Sequence, residues 1–362
     1  MLACCAGTGD RLGVAVVRVR GVALPDEDVV DLYADGDLWT TDPVRNAELV
    51  AEGWLVPGLV DAHTHPGART PGDDLDDHLL RADLREHLAA GVTMIRSPGL
   101  AGDPPAWFGA DLALPRAVHA GRWIAQPGQF VDGWGRRARP EALPEAAAEQ
   151  AARTGWAKVI GDWKDDDPAV TEDVLRAVVD AVHAVGGRLA VHAQTPAGAA
   201  AAARAGVDSL EHGQGLDAAL LPEMAAVGVA LTPTLMVIQR SLARRRASGQ
   251  GPETRYVATA AAHAALTVAA AEAGVTVLAG TDSWPHGRVP EEIRALHRAG
   301  MAAHVALGAG SWTARTYLGL PGLVDGAPAD AVIYREDPRT DLRALDHPTA
   351  AVLRGRRIST RA

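Results

Sequence analysis

The sequence predicts an α/β fold in which a (β/α)₈ barrel of the TIM type is joined to a small β-sandwich built from both chain ends. Two observations lead to this prediction. Short β-rich runs alternate with alanine-rich segments of helical period through the middle of the 362 residues. Both ends instead carry short strands and turns. We therefore place a composite sandwich at 1–56 and 321–362 and the barrel at 57–320.

The N-terminal part of the sandwich is predicted from three runs: "VAVVRVRGVAL", "DVVDLYADGDLW" and "AELVAEGWLVPG". Alternating apolar positions and turn residues such as "ADGD" indicate β-structure. The C-terminal runs "ADAVIYRED" and "TAAVLRGRRIS" have the same character. Because neither end has enough apolar surface to be stable alone, we expect the two to fold together.

The barrel is predicted from eight β-rich runs: "LVPGLVDAHTH", "GVTMIRSPG", "RAVHAGRWIA", "WAKVIGDW", "RLAVHAQT", "VDSLEHG", "VALTPTL" and "VTVLAGTD". The intervening helices include "PGDDLDDHLLRADLREHLAAG", "EALPEAAAEQAARTG", "EDVLRAVVDAVHAVG", "PAGAAAAARAG", "AALLPEMAAVG" and "TRYVATAAAHAALTVAAAEAG". Glycine at the "AG-V" and "VG-V" junctions is typical of a helix C-cap that leads into the next strand.

Composition limits the classes of partner. A net charge of −10 disfavours a nucleic-acid surface. The longest apolar runs fall short of the roughly 18 to 20 residues that a membrane span needs, and the start "MLACCAGTGDRLG" does not resemble a signal peptide. The adjacent Cys4 and Cys5 do not staple a fold, which fits a reducing cytoplasm. We expect a cytoplasmic protein with a small-molecule substrate and neither nucleic acid nor membrane as partner; a homo-oligomer stays open.

Side chains that bind metals stand at the ends of five predicted strands. They are His63 and His65 on strand 1, Lys158 on strand 4, His192 on strand 5, His212 on strand 6 and Asp282 on strand 8. The C-terminal ends of barrel strands meet at one mouth, and residues two apart on a strand point the same way. Each residue alone has an ordinary structural explanation. Together they predict a centre for a zinc-type ion.

Several other residues are predicted near the same mouth. Trp134, Trp163 and Trp284 fall in loops, where they either pack or form an aromatic wall for the substrate. Arg96, at the end of strand 2, either pairs with a substrate carboxylate or forms a structural ion pair.

Three further features are left open by the sequence. His119 lies inside strand 3, and His286 lies just past Asp282. The run from Asp165 to Asp167 is predicted as a solvated loop or helix start, with a preference for cationic substrates as the alternative.

Taken together, the motifs "VPGLVDAHTHP", "GVTMIRSPG", "AKVIGDW", "AVHAQT", "AGVDSLEHG", "LAGTDS" and the tail "GAPADAVIYREDPRTDLRALDHPTAAVLRGRRI" resemble the amidohydrolase superfamily. The resemblance covers nearly the whole chain and is closest to imidazolonepropionase-like and Xaa-Pro-dipeptidase-like metal hydrolases. Two loops depart from it. In "RSPG", Ser97 stands where relatives often have the aspartate of an Arg-Asp pair. The loop "QPGQFVDGWG" stands where relatives often carry Gly-Gly-His. These departures bear on the substrate.

The resemblance implies a binuclear centre with two divalent ions, and zinc is the ion expected first. His63, His65 and Asp282 would hold the more buried ion, and His192 and His212 the second. Lys158 would bridge both after N6-carboxylation by CO₂. A carbamate supplies two oxygens for two metals, whereas a protonated amine cannot bind a cation.

The predicted activity is hydrolysis of an amide, cyclic amide or dipeptide-like C–N bond by a hydroxide that bridges the two metals. Asp282 would act as base and then acid, and His212 or His119 would assist the oxyanion. Hydrolysis of an ester, lactone or organophosphate is the alternative, followed by lyase or isomerase chemistry on the same scaffold. A non-catalytic scaffold would be expected to have lost ligands, and here all six are present.

Overall fold

The computed structural model describes residues 16–163, 168–251 and 253–360. Cys4, Cys5 and the run from Asp165 to Asp167 lie outside the described residues. The strands are β1 (Val17–Ala23), β2 (Asp28–Asp35), β3 (Leu38–Thr40), β4 (Glu48–Pro57), β5 (Leu59–Asp61), β6 (Val92–Ser97), β7 (Arg116–His119), β8 (Ile124–Ala125), β9 (Arg136–Arg137), β10 (Trp156–Ile160), β11 (Arg188–Ala193), β12 (Ser209–His212), β13 (Ala230–Thr232), β14 (Ala331–Tyr334), β15 (Ala350–Leu353) and β16 (Arg356–Ile358).

The helices are α1 (Asp77–Ala89), α2 (Leu143–Thr154), α3 (Glu172–Ala184), α4 (Pro196–Ala205), α5 (Leu221–Val227), α6 (Leu235–Ala247), α7 (Arg255–Glu272), α8 (Val289–Ala299), α9 (Ala303–Ala309) and α10 (Trp312–Tyr317). The predicted C-caps are confirmed at Gly206 and Gly228, which end α4 and α5 in the left-handed conformation. Within the described ranges, no helix combines the length and the apolar character that crossing a bilayer requires.

The two chain ends meet in one mixed sheet, in the order β16-β15-β14-β4-β1-β2-β3. Strand β4 joins them, because it pairs antiparallel with β14 on one edge and parallel with β1 on the other. The expected association of the ends is therefore seen, but the strands add side by side. The two facing layers of a sandwich are not confirmed, and the domain boundaries at 56/57 and 320/321 stay a prediction.

Two glycines allow β1 and β4 to approach closely. Gly21 lies opposite Gly53, and a Cβ built on Gly21 would be 1.8 Å from the Gly53 carbonyl oxygen, at a φ of +145°. We expect Gly21→Ala to lower the free energy of unfolding by about 2 kcal/mol or more, measured by denaturant titration. Gly36→Ala is the control, since a Cβ there meets nothing within 4 Å and only the left-handed φ costs, about 1 kcal/mol. Equal losses in the two variants would contradict this explanation.

The middle of the chain is an α/β fold of parallel strands alternating with helices, as predicted. It contains a six-stranded sheet, β13-β12-β11-β10-β8-β9, and a three-stranded sheet, β5-β6-β7. Every residue of β6 and β10 is buried, because both faces of the strands are covered. The main core lies between these strands and their helices, with Val159 and Val191 packed in the same cluster as Val178 and Val182.

The described residues do not form one continuous eight-stranded ladder. The third predicted strand is split into β7 and β8, with Gly121 at a φ of +63° between them. In the described part of the chain, the eighth is joined to β13 by an isolated bridge between Val277 and Leu231. Hydrogen bonds nevertheless cross both gaps between the sheets: the Leu100 N–H donates to Gly121 (2.8 Å), and the Ala62 N–H donates to Ala279 (2.9 Å).

Candidate functional site

A cavity of about 230 Å³ opens where the parallel strands end. Its wall contains all six side chains that the sequence predicts as metal ligands: His63, His65, Lys158, His192, His212 and Asp282. These residues come from five separate segments of the chain. The side chains that were predicted to meet at one mouth therefore do line the same cavity.

One half of the cluster consists of His63, His65 and Asp282. The Nε2 atoms of the two histidines are 3.1 Å apart, and they lie 3.8 and 3.5 Å from Oδ1 of Asp282. One potential ligand atom from each residue falls within 4.8 Å of the others. Two imidazoles and a carboxylate at this spacing form a donor set suited to a divalent ion such as zinc.

The other half consists of Lys158, His192 and His212. The ring centroids of His192 and His212 are 4.5 Å apart, and that of His212 is 5.0 Å from His63. Among the described residues, Nζ of Lys158 and Nε2 of His192 are buried and have no hydrogen-bond partner. Buried polar atoms are rarely left unpaired, because each one costs free energy. These two orphaned nitrogens fit a centre built to hold metal.

The protonation equilibria favour ligand forms. Desolvation holds the pKa values of His65, His192 and His212 well below their usual range, so these rings are neutral and can donate a lone pair. Desolvation also lowers the pKa of Lys158 to about 8. A lysine that loses its proton readily is the form that can react with CO₂. For Asp282, desolvation acts in the opposite direction and raises the pKa, which suits a group that accepts a proton rather than one that only binds metal.

Each of three histidines is oriented through its Nδ1 atom. His63 hydrogen-bonds with Oε2 of Glu211 (2.6 Å), His65 with the Gly99 carbonyl (2.6 Å) and His212 with Oγ1 of Thr234 (2.8 Å). These bonds leave Nε2 available for a metal, which is the usual arrangement around metal-binding imidazoles.

Glu211 lies in a fully buried position that the sequence reasoning missed. Although burial opposes its charge, Arg96, Lys158 and His63 hold the pKa of its carboxyl well below its usual range. It therefore stays ionised beneath the cluster. The one signal in the sequence was its place in "SLEH", next to a predicted ligand.

Arg96 does not line the cavity. It is 1% exposed, its Nε donates to the Ala62 carbonyl (2.7 Å), and its Nη2 donates to Glu211 (2.8 Å). Its guanidinium is paired with a buried carboxylate, so this position does not fit pairing with a substrate carboxylate. The structural ion pair, which was the alternative, is what the structure has.

Three other candidate residues also lie away from the cavity wall. His119 packs against Phe108, with centroids 5.5 Å apart. Trp284 is 57% exposed and lies beside Arg69. His286, left open by the sequence, is buried and hydrogen-bonds with Thr64 (3.1 Å). A position next to a strand end is not enough to direct a side chain into the mouth.

An aromatic wall faces the cluster. Trp134 and Trp163 line the cavity as predicted, and Trp123 and Phe130 join them. Trp123 stacks on Trp134 with centroids 4.9 Å apart, and Phe130 meets Trp163 edge-on at 4.9 Å. The sequence reasoning missed Trp123 because it treated this residue as part of a continuous strand.

Backbone strain gathers at the same place. His212, Thr234 and Asp282 have φ angles of +65°, +48° and +42°, in the left-handed region that non-glycine residues rarely adopt. Such strain persists where the surroundings fix a residue for a purpose, and it is concentrated at functional sites.

The Amidohydrolase family matches residues 54–358. The chain belongs to this family. An uncharacterised protein of Mycobacterium tuberculosis is 39% identical to this amidohydrolase over 362 residues, which cover 94% of the chain and 95% of that protein. Ochratoxinase of Aspergillus niger is 30% identical over 200 residues, covering 52% of the chain and 41% of the fungal protein. The family resemblance predicted from the motifs is confirmed.

Solved structures have the same fold as this amidohydrolase. A Xaa-Pro dipeptidase with methionine bound in its active site superposes with a TM-score of 0.80 at 20% identity, covering 95% of this chain and 100% of that one. The ochratoxinase crystal structure gives 0.78 at 21% identity and covers 96% of each chain.

Proposed function

We propose that this amidohydrolase is a metal-dependent hydrolase that cleaves an amide, cyclic amide or dipeptide-like C–N bond in a small molecule. The observation that carries the proposal is the cavity wall, in which six ligand-type side chains meet and two buried nitrogens lack partners. Family membership and the fold shared with a dipeptidase support it. We also take the two parallel sheets, joined by hydrogen bonds across both gaps, as one distorted (β/α)₈ barrel.

The residues divide into two ligand groups. His63, His65 and Asp282 would hold one divalent ion, and His192 and His212 a second, with zinc the ion that suits these donors best. Lys158 would lie between them as a carbamate. Divalent ions, when bound, supply a water of lowered pKa and polarise the carbonyl group.

Side chains of the protein would transfer the proton and exclude water. Asp282 would take the proton of the attacking water and pass it to the leaving nitrogen, because its carboxylate is partly exposed to the cavity beside His63 and His65. The aromatic wall would pack against apolar groups of the substrate and keep bulk water away from the scissile bond. The cavity of about 230 Å³ suits a small molecule.

Matched compounds test the proposal. We expect zinc-loaded protein to hydrolyse dipeptides, N-acyl amino acids or cyclic amides with kcat/KM at least about 10-fold above that for lactones, simple esters and phosphotriesters. We also expect a chelator to abolish activity and added zinc to restore it. Full activity after chelation, or turnover of phosphotriesters or lactones alone, would overturn the proposal.

A further inference from the structure

A second cavity of about 360 Å³ adjoins the metal-ligand cavity. The two share three wall residues, Trp163, Gln194 and Asp282. Beyond this shared edge the second cavity is walled by α6, with Arg244 and Arg245, and by Tyr256 at the start of α7. A substrate whose scissile bond lies beside Asp282 could therefore extend into both spaces.

The wall formed by α6 carries positive charge that no carboxylate among the described residues pairs with. Arg245 is half-buried, its Nη1 donates to Oε1 of Gln250 (3.2 Å), and its guanidinium carbon lies 4.0 Å from the centroid of the Tyr256 ring. Both of these partners are neutral. Within residues 16–163, 168–251 and 253–360, neither Arg244 nor Arg245 forms an ion pair with a carboxylate, although the whole chain has a net charge of −10.

We propose that Arg244 and Arg245 form a subsite for a carboxylate on the amine side of the scissile amide. A guanidinium held by a ring and an amide keeps most of its N–H groups free, and its planar fork matches a carboxylate. The inference rests on the proposed function. It assigns to α6 the pairing with a substrate carboxylate that the sequence analysis had considered for Arg96.

The position of Asp282 sets the direction of the substrate. Hydrolysis adds the oxygen of water to the carbonyl carbon, breaks the C–N bond and moves a proton to the nitrogen. Since Asp282 lies at the shared edge, the nitrogen that it protonates lies there too. The amine portion then extends toward the arginines, and the acyl portion lies against Trp123 and Trp134. The substrate class is an N-acylated amino acid with an apolar or aromatic acyl group and a free carboxylate.

Two compounds that differ only at this carboxylate test the subsite: N-benzoyl-L-leucine and N-benzoyl-L-leucinamide. Their hydrolysis by zinc-loaded protein is measured as the release of benzoate. We expect the parent to prefer the carboxylate by about 10- to 100-fold in kcat/KM and Arg245→Gln to reduce that preference to about 3-fold or less. Arg246→Gln is the matched control, since Arg246 lies on the same helical turn but outside the cavity wall. An unchanged preference in Arg245→Gln would overturn the subsite.

The proposed function and the subsite can fail separately. If neither compound is hydrolysed, calorimetric titration of the same compounds into the same zinc-loaded proteins decides. Tighter binding of the carboxylate than of the carboxamide by the parent, lost in Arg245→Gln and kept in Arg246→Gln, supports the subsite even where the reaction is of another class. Equal binding of both compounds by the parent overturns it.

Discussion

Lys158→Ala is expected to lower the bound metal from about two ions per chain to about one or fewer, and kcat/KM by at least about 10³-fold. The side chain is 1% exposed and ends in a cavity wall among histidines, where its nitrogen has no hydrogen-bond partner among the described residues. A carbamate there would provide two oxygens in place of an unpaired amine. Alanine provides none, so both ions lose a shared ligand. Elemental analysis of protein made with zinc and bicarbonate measures the first effect.

The chain offers a close control for this experiment, because it contains only two lysines, Lys158 and Lys164. With ¹³C-bicarbonate, we expect one carbamate carbon resonance in the parent and in Lys164→Ala, and none in Lys158→Ala. Lys158→Arg keeps the positive charge and most of the volume but cannot form the carbamate, so it should lose metal like the alanine variant. About one ion per chain in the parent and in every variant would make Lys158 a bystander and the centre mononuclear; about two in every variant would make Lys158 a bystander of a binuclear centre.

The meeting of the six candidate ligand side chains was predictable from sequence because it depends on where strand ends gather. His192 and His212 lie at or next to the last residue of their strands. His63 and His65 were predicted to lie on strand 1, but β5 ends at Asp61 and both follow it in the loop. The terminal sheet was predictable for a similar reason, since strand character at both ends is local.

What could not be predicted depends on contacts between distant segments. Arg96 and Glu211 are 115 residues apart, and only their pairing shows that the arginine points into the protein. Helix α6 has a polar sequence with a weak apolar face, so "LMVIQRSLARRRA" gave little sign that it would form the wall of a second cavity beside Asp282. The side-by-side order of the terminal strands in one sheet likewise follows from how β4 uses both of its edges.

Asp282→Asn is expected to lower kcat for amide substrates by about 10³- to 10⁴-fold while the bound metal falls by less than half. The change removes the group that can carry a proton to the leaving nitrogen but keeps an oxygen and nearly the same volume. The side chain lies at the edge shared by both cavities, and its backbone is held at a φ of +42°, so few other acids could take its place. Elemental analysis and steady-state kinetics on the same preparation separate loss of metal from loss of chemistry.

The prediction for Asp282→Asn is tested most sharply by how the loss of activity depends on the leaving group. A p-nitrophenyl ester expels an anion that needs no proton, whereas an alkyl amide expels nitrogen only once it is protonated. A proton carrier at position 282 therefore matters for the amide and much less for the ester, and we expect Asp282→Asn to lose at least about 30-fold more activity on the amide than on an ester with the same acyl group. Equal losses on both substrates would assign Asp282 to holding metal alone. The proton would then have to reach the nitrogen by another route, for which His212, which also lies in the cavity wall, is a candidate.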